Sequence, residues 1–144
     1  MEFERINPMT NETASKAPAM TPALARAVAD RAAEGFANWS ATGPNARRSL
    51  LMGAAVALEA RKEEFIGAMM AEVGATAGWA MFNLMLAAGM IREAASLTTQ
   101  IGGEVIPSDK PGCLALALRE PVGVILGIAP WNAPIILGVR AIAV

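Results

Sequence analysis

The residues best equipped for chemistry lie together late in the sequence, at Pro130-Trp131-Asn132-Ala133-Pro134. Asn132 carries a side-chain amide, which donates hydrogen bonds without needing a charge. Before it, residues 122–129 form an apolar run rich in Val and Ile. That composition suits a strand buried on both faces, as in a parallel sheet. After it, Pro134 suits the first turn of a helix, where its missing N–H is not needed. A strand, a tight turn and a helix start present a ligand site at a strand's carboxyl end in open α/β sheets. An amide in that turn, with the positive end of a helix behind it, can stabilise a negative oxygen formed during a reaction. A helix N-cap is the structural alternative for Asn132, and the two roles are compatible.

Other reactive side chains are poorly supported. Cys113 is the single cysteine and the sequence has no histidine to activate it. It reads as a small buried hydrophobe. The same census excludes a zinc site built on Cys and His, so no metal is expected. It also excludes a disulfide framework, in keeping with a reducing, cytoplasmic setting. Glu63 and Glu64 start a helix, where carboxylates suit its dipole, and read as a solvated face. Arg140 is the lone charge after Pro121. A buried guanidinium there must be paired, either with a carboxylate elsewhere or with a ligand.

The elements that position these groups follow from periodicity. Residues 1–20 are polar, contain proline and lack the apolar core of a secretory signal, so they read as a flexible arm. Thr21-Pro22 is a helix start, and Leu24, Val28, Ala32 and Phe36 form a packing stripe to about Trp39. Pro44 opens a second helix. A third runs over 61–73 and ends on Gly74, suited to a left-handed C-cap. Residues 76–99 read as the longest helix. It is apolar nearly all round at 79–91 and is expected to be covered on both sides. Trp79, Phe82, Met85 and Met90 read there as core fillers. Residues 101–111 are a Gly/Pro turn region. At 113–119 Leu114, Leu116 and Leu118 alternate with Ala115 and Ala117, a strand with a bulky and a small face. A subunit contact or pairing within the chain would each cover the small face.

The chain is 144 residues long, 54% hydrophobic and 17% charged, with a net charge of −1. No basic surplus points to nucleic acid. Residues 73–91 and 121–139 are each 19 residues without a formal charge. They leave a helical membrane or protein-interaction module as the alternative class, but glycines, prolines and two asparagines argue against a span.

The run PVGVILGIAPWNAPIIL resembles the aldehyde dehydrogenase superfamily, whose members carry P-x-G-V-x-x-x-x-x-P-W-N-x-P at the first strand of the NAD(P)-binding domain. Pro121, Gly123, Val124, Pro130, Trp131, Asn132 and Pro134 match it. The upstream layout is also similar, from Thr21 onward. The segment GATAGWAMFNLMLAAGMIREAASLTTQIGGEVIPSD is similar to the branch acting on aromatic aldehydes such as salicylaldehyde, benzaldehyde or vanillin. The resemblance implies an α/β fold of which this stretch is the mostly helical N-terminal part. It divides the chain into an arm (1–20), a helical region (21–106), a turn and oligomerisation-type strand (107–121) and the start of the NAD(P)-binding domain (122–144).

The resemblance further implies that a cysteine thiolate attacks the aldehyde, hydride passes to NAD(P)⁺ (NAD favoured), and a glutamate-activated water completes oxidation to the acid. Asn132 matches the oxyanion-holding asparagine. Ile128, Ala129, Pro130 and Trp131 match backbone lining the nicotinamide half of the cofactor cleft. Arg140 is a candidate contact for the phenolic oxygen of a hydroxyaryl aldehyde. A homodimer or homotetramer is implied, with 113–119 in the arm joining subunits. The nucleophile, the base glutamate and the glycine loop of the family belong beyond Val144. The segment is therefore expected to be an N-terminal fragment that is inactive alone, with no role for nucleic acid or membrane.

Overall fold

The computed structural model describes residues 2–143; Met1 of the arm and Val144 of the last segment lie outside the described residues. The order is β1 (Glu2–Ile6), β2 (Thr13–Pro18), α1 (Pro22–Ser40), α2 (Pro44–Ala60), α3 (Lys62–Val73), α4 (Ala77–Leu97), β3 (Glu104–Ile106), β4 (Ala115–Ala117) and α5 (Pro134–Ala143). The segment is thus mostly helical, with two small antiparallel sheets, β1-β2 and β3-β4.

The helix boundaries follow local chemistry. Thr21 caps α1 by accepting from the Leu24 N–H at 3.2 Å, and Pro22 opens the first turn. Thr76 caps α4 in the same way through the Trp79 N–H, also at 3.2 Å. Gly74 ends α3 with φ +67°, a left-handed conformation that costs glycine little. The Arg61 guanidinium pairs with Glu64 across the α2–α3 junction at 2.8 Å. This hydrogen bond holds the Glu64 carboxyl below its usual range. Glu64 is therefore a partnered residue as well as a solvated one.

The core lies where α4 meets α2, α3 and α5. Helix α4 buries Ala80, Asn83, Leu84, Ala87, Ala88, Ile91 and Ala95, while α2 buries Ala55. Ile66 and Met69 of α3 pack with Ala80, and Ile135 of α5 borders them. Alanines dominate these contacts, so backbones approach closely and burial rests on fit more than on bulk. Arg48 fastens α2 to the end of α4 by donating to the Ala95 carbonyl (3.3 Å) and the Thr99 hydroxyl (3.0 Å). Glu59 and Arg92 add a two-pronged pair between the same helices, with Nη1 to Oε1 at 2.8 Å.

Several expectations are corrected. Residues 2–18, expected as a flexible arm, form a hairpin. The Asn7 side chain accepts from the Met9 N–H at 2.8 Å, and Asn11 takes a left-handed φ of 60°. Glu4 and Lys16 stand opposite each other in the register and pair at 2.7 Å. The hairpin docks through the Ser15 hydroxyl, which donates to Glu72 at 2.8 Å, and through Pro8 and Met9 beside Gly74. Within the expected turn region, β3 pairs with β4, from Glu104 opposite Ala117 to Ile106 opposite Ala115. The 113–119 strand thus has a partner in its own chain. Its bulky face is not on a core: Leu114 and Leu118 are more than 70% exposed.

Cys113 is exposed, not buried. Helix α4 is covered on one face only. Trp79, Phe82 and Met85 point outward instead of filling the core, and Met90 is half-buried. The alanine face packs better against α2, because large side chains there would hold the helices apart. Residues 122–129 form no strand among the described residues and are largely exposed, since no neighbouring strand is available to complete a ladder. No helix among the described residues is long and apolar enough to cross a membrane.

Candidate active site

The turn at 131–133 separates the extended 122–130 segment from α5. Its two sides are held differently. Ala133 is buried, and its carbonyl accepts the first helical bond, from the Leu137 N–H at 3.0 Å. Ala133 therefore occupies the N-cap position of α5, and Asn132 lies one residue outside the helix. The Asn132 amide does not cap the helix, which corrects the structural alternative. Asn132 is exposed, and its side chain makes no hydrogen bond among the described residues. The first turn of α5 contains no acidic residue to neutralise its positive end. An uncommitted amide beside an uncompensated helix N-terminus is an arrangement able to receive an anionic oxygen.

The backbone carbonyl of Asn132 is engaged. It accepts from the indole Nε1–H of Trp79 at 3.0 Å. Trp79 is fixed in turn: its N–H goes to Thr76, its carbonyl accepts from the fully buried Asn83 amide at 3.1 Å, and its ring stacks on Phe82 at 5.4 Å. Trp79 is thus not the core filler that its spacing suggests. No local pattern could reveal its partner, which is 53 positions away.

Ile128 and Trp131 are 80% and 71% exposed, and Ala129 and Pro130 are exposed as well. The preceding segment lies against α5, and the two flank a cleft of about 520 Å³ lined by Gly123, Ile125, Gly127, Ala129, Ala141 and Ile142. Contact is closest at Gly127, where a Cβ would fall 2.6 Å from the Ala141 methyl. Arg140 lies in the last turn of α5, exposed and without an ion pair among the described residues. The expected buried guanidinium is thus corrected: Arg140 follows Ile136 by one helical turn, but near the end of α5 its side chain is exposed, so no burial demands a partner for the guanidinium here. Among the described residues, no group of three or more His, Cys, Asp or Glu is arranged to hold a metal ion.

Comparison with known proteins shows the family. Residues 1–144 match the Aldehyde dehydrogenase family, and the chain belongs to it. It is 57% identical over 141 residues to a vanillin dehydrogenase of Pseudomonas fluorescens, covering 98% of this chain and 29% of that protein. The fold superposes on the crystal structure of a salicylaldehyde dehydrogenase from Pseudomonas putida G7 complexed with salicylaldehyde. The TM-score is 0.96 at 45% identity, over 99% of this chain and 30% of that one. It also superposes on an NAD-dependent benzaldehyde dehydrogenase from Corynebacterium glutamicum, with a TM-score of 0.94 at 29% identity, covering 99% of this chain and 31% of that one. The chain spans just under a third of the length of these relatives.

Proposed function

We propose that this chain is the N-terminal part of an NAD(P)-dependent aldehyde dehydrogenase that oxidises an aromatic aldehyde to its carboxylic acid. The observation that carries this is Asn132, whose amide is left uncommitted at the N-terminus of α5 in a chain of this family. Its role is to hold the oxygen of the aldehyde as that oxygen gains negative charge. Vanillin and salicylaldehyde are the favoured substrates, by similarity to proteins with those names.

The exposed segment 128–131 fits a nicotinamide cofactor, because Ile128 and Trp131 offer apolar surface beside the Asn132 amide. When bound, the cofactor supplies hydride acceptance. NAD is favoured over NADP by likeness to the NAD-dependent benzaldehyde enzyme. Ile128, Ala129, Pro130 and Trp131 would border the cofactor, and Asn132 would orient the aldehyde oxygen. Arg140, reachable from solvent, would receive the phenolic oxygen of the substrate.

The remaining parts of the reading follow from the same assignment. Residues 122–129 would form the first strand of the parallel NAD(P)-binding sheet, with a domain boundary at 121/122. The exposed Leu114 and Leu118 beside β4 would be covered by a second copy in a homo-oligomer. The free thiol of Cys113 suits the cytoplasm, where thiols stay reduced.

The test is performed on the protein isolated from its native source, with its intact mass measured first. The expected preparation forms NAD(P)H on addition of vanillin, salicylaldehyde or benzaldehyde. Asn132→Ala should lower kcat by roughly 10²–10³-fold. Absence of turnover with every aromatic aldehyde, or an unchanged kcat in the variant, would remove the reading. Arg140→Met should raise KM chiefly for hydroxyaryl aldehydes; an equal rise for unsubstituted benzaldehyde would remove Arg140 from substrate recognition.

A further inference from the structure

We infer that Trp79 is a positioning residue for Asn132, acting through the hydrogen bond from its indole N–H to the Asn132 carbonyl. The inference rests on the oxyanion role proposed for Asn132. That carbonyl belongs to the peptide joining Asn132 to Ala133. Ala133 is buried and tied into α5 through the Leu137 N–H. Trp79 holds the Asn132–Ala133 peptide itself, at 3.0 Å, while the Leu137 N–H holds the next one through the Ala133 carbonyl. With one plane tied to α4 and the next to α5, ψ of Asn132 is restrained, and with it the direction in which the side chain leaves the backbone. A donor to a developing oxyanion must sit within about 0.5 Å of its working position to be effective. Asn132 cannot obtain that precision from its own side chain, which is exposed and makes no hydrogen bond among the described residues.

Trp79 is built for the task. It occupies the third position of α4, where its backbone N–H donates to the Thr76 cap. Asn83, fully buried, holds its carbonyl, and Phe82 stacks on its ring with planes 22° apart. A residue present only for packing would not need its N–H aimed at a carbonyl 53 positions later, nor would it be 42% exposed. The arrangement couples the start of α4 to the turn before α5, so the rigid helical layer sets the angle of the reacting-site amide.

A double-mutant cycle in the complete enzyme tests this. Trp79→Phe keeps an aromatic ring and deletes the N–H. It should lower kcat about 3- to 10-fold, as expected for one net hydrogen bond, with a smaller change in aldehyde KM. In an Asn132→Ala background the same substitution should leave kcat unchanged, because the group it orients is gone. An unaltered kcat in Trp79→Phe, a rise in KM alone, or the same fold-loss in both backgrounds would overturn the inference while leaving the oxyanion role of Asn132 standing. If Asn132→Ala itself leaves kcat unchanged, the oxyanion reading falls, and this inference with it. If Trp79→Phe does not fold, benzothienylalanine placed at position 79 preserves the bicyclic shape without the N–H and enters the same cycle with the same criteria.

Discussion

Two close approaches bound what single side chains can do around the turn. A Cβ at Gly127 would lie 2.6 Å from the methyl of Ala141, so the 122–130 segment lies against α5 only because position 127 has no side chain. Gly127→Val should push the segment off the helix and destabilise the protein by about 1–3 kcal/mol, read as a lowered thermal midpoint. An unchanged midpoint would show that the segment yields without cost. At the start of α4, the Thr76 hydroxyl satisfies the Trp79 N–H. Thr76→Ala should cost about 1 kcal/mol in unfolding free energy by denaturant titration. The same variant should lower kcat more than its stability loss explains, since it loosens Trp79. No change in kcat would separate the cap from the site.

Between elements, charge pairs join helices whose shared core is mostly alanine. Glu59 and Arg92 link α2 to α4, and the hydrogen bond from Arg92 holds the Glu59 carboxyl below its usual range. A carboxyl depressed in the folded state contributes stability above its ordinary value. That contribution fades as the pH falls through the depressed value, when Glu59 takes up a proton. The raised Arg92 guanidinium stays charged throughout this range. Glu59→Gln should therefore lower the thermal midpoint near neutral pH and have progressively less effect as the pH falls into the acid range, as the native carboxyl takes up its proton. A midpoint difference that persists undiminished into acid would show that the pair acts through packing. Exposure of both partners and salt screening limit the effect, so it should also shrink in high salt.

At the scale of the whole molecule, the largest feature is the amount of apolar surface left uncovered. Helix α1 buries no residue, and its stripe residues Leu24 and Val28 are exposed. Val122, Leu126 and Ile128 are each at least 80% exposed. If residues 122–129 form an inner strand of a parallel sheet in the complete enzyme, their amides should exchange with deuterium far more slowly there than in the isolated 144-residue chain. Rapid exchange in both would remove the strand assignment. The same exposed faces give the isolated chain a tendency to associate, measurable as concentration-dependent sedimentation.

The sequence by itself determined the helices, and for a local reason. Thr21-Pro22, Pro44, Gly74, Thr76 and Pro134 are start and stop signals that act within one turn, and apolar spacing fills the intervals. It also determined the family, because Pro130-Trp131-Asn132-x-Pro134 after an apolar run is a rare local pattern, and the family match followed. The hairpin at 2–18 was missed because its cross-strand pair, Glu4 with Lys16, reads in sequence as ordinary solvated charge. Tertiary structure alone decided which face of α4 is buried. An all-round apolar helix contains no instruction about facing, and the choice falls to the side whose alanines let α2 approach. It alone showed that Ala133, not Asn132, caps α5, and that Trp79 reaches the Asn132 carbonyl. Hydrogen bonds between residues far apart in sequence leave no periodic trace, because they depend on where two elements cross and not on the pattern within either one.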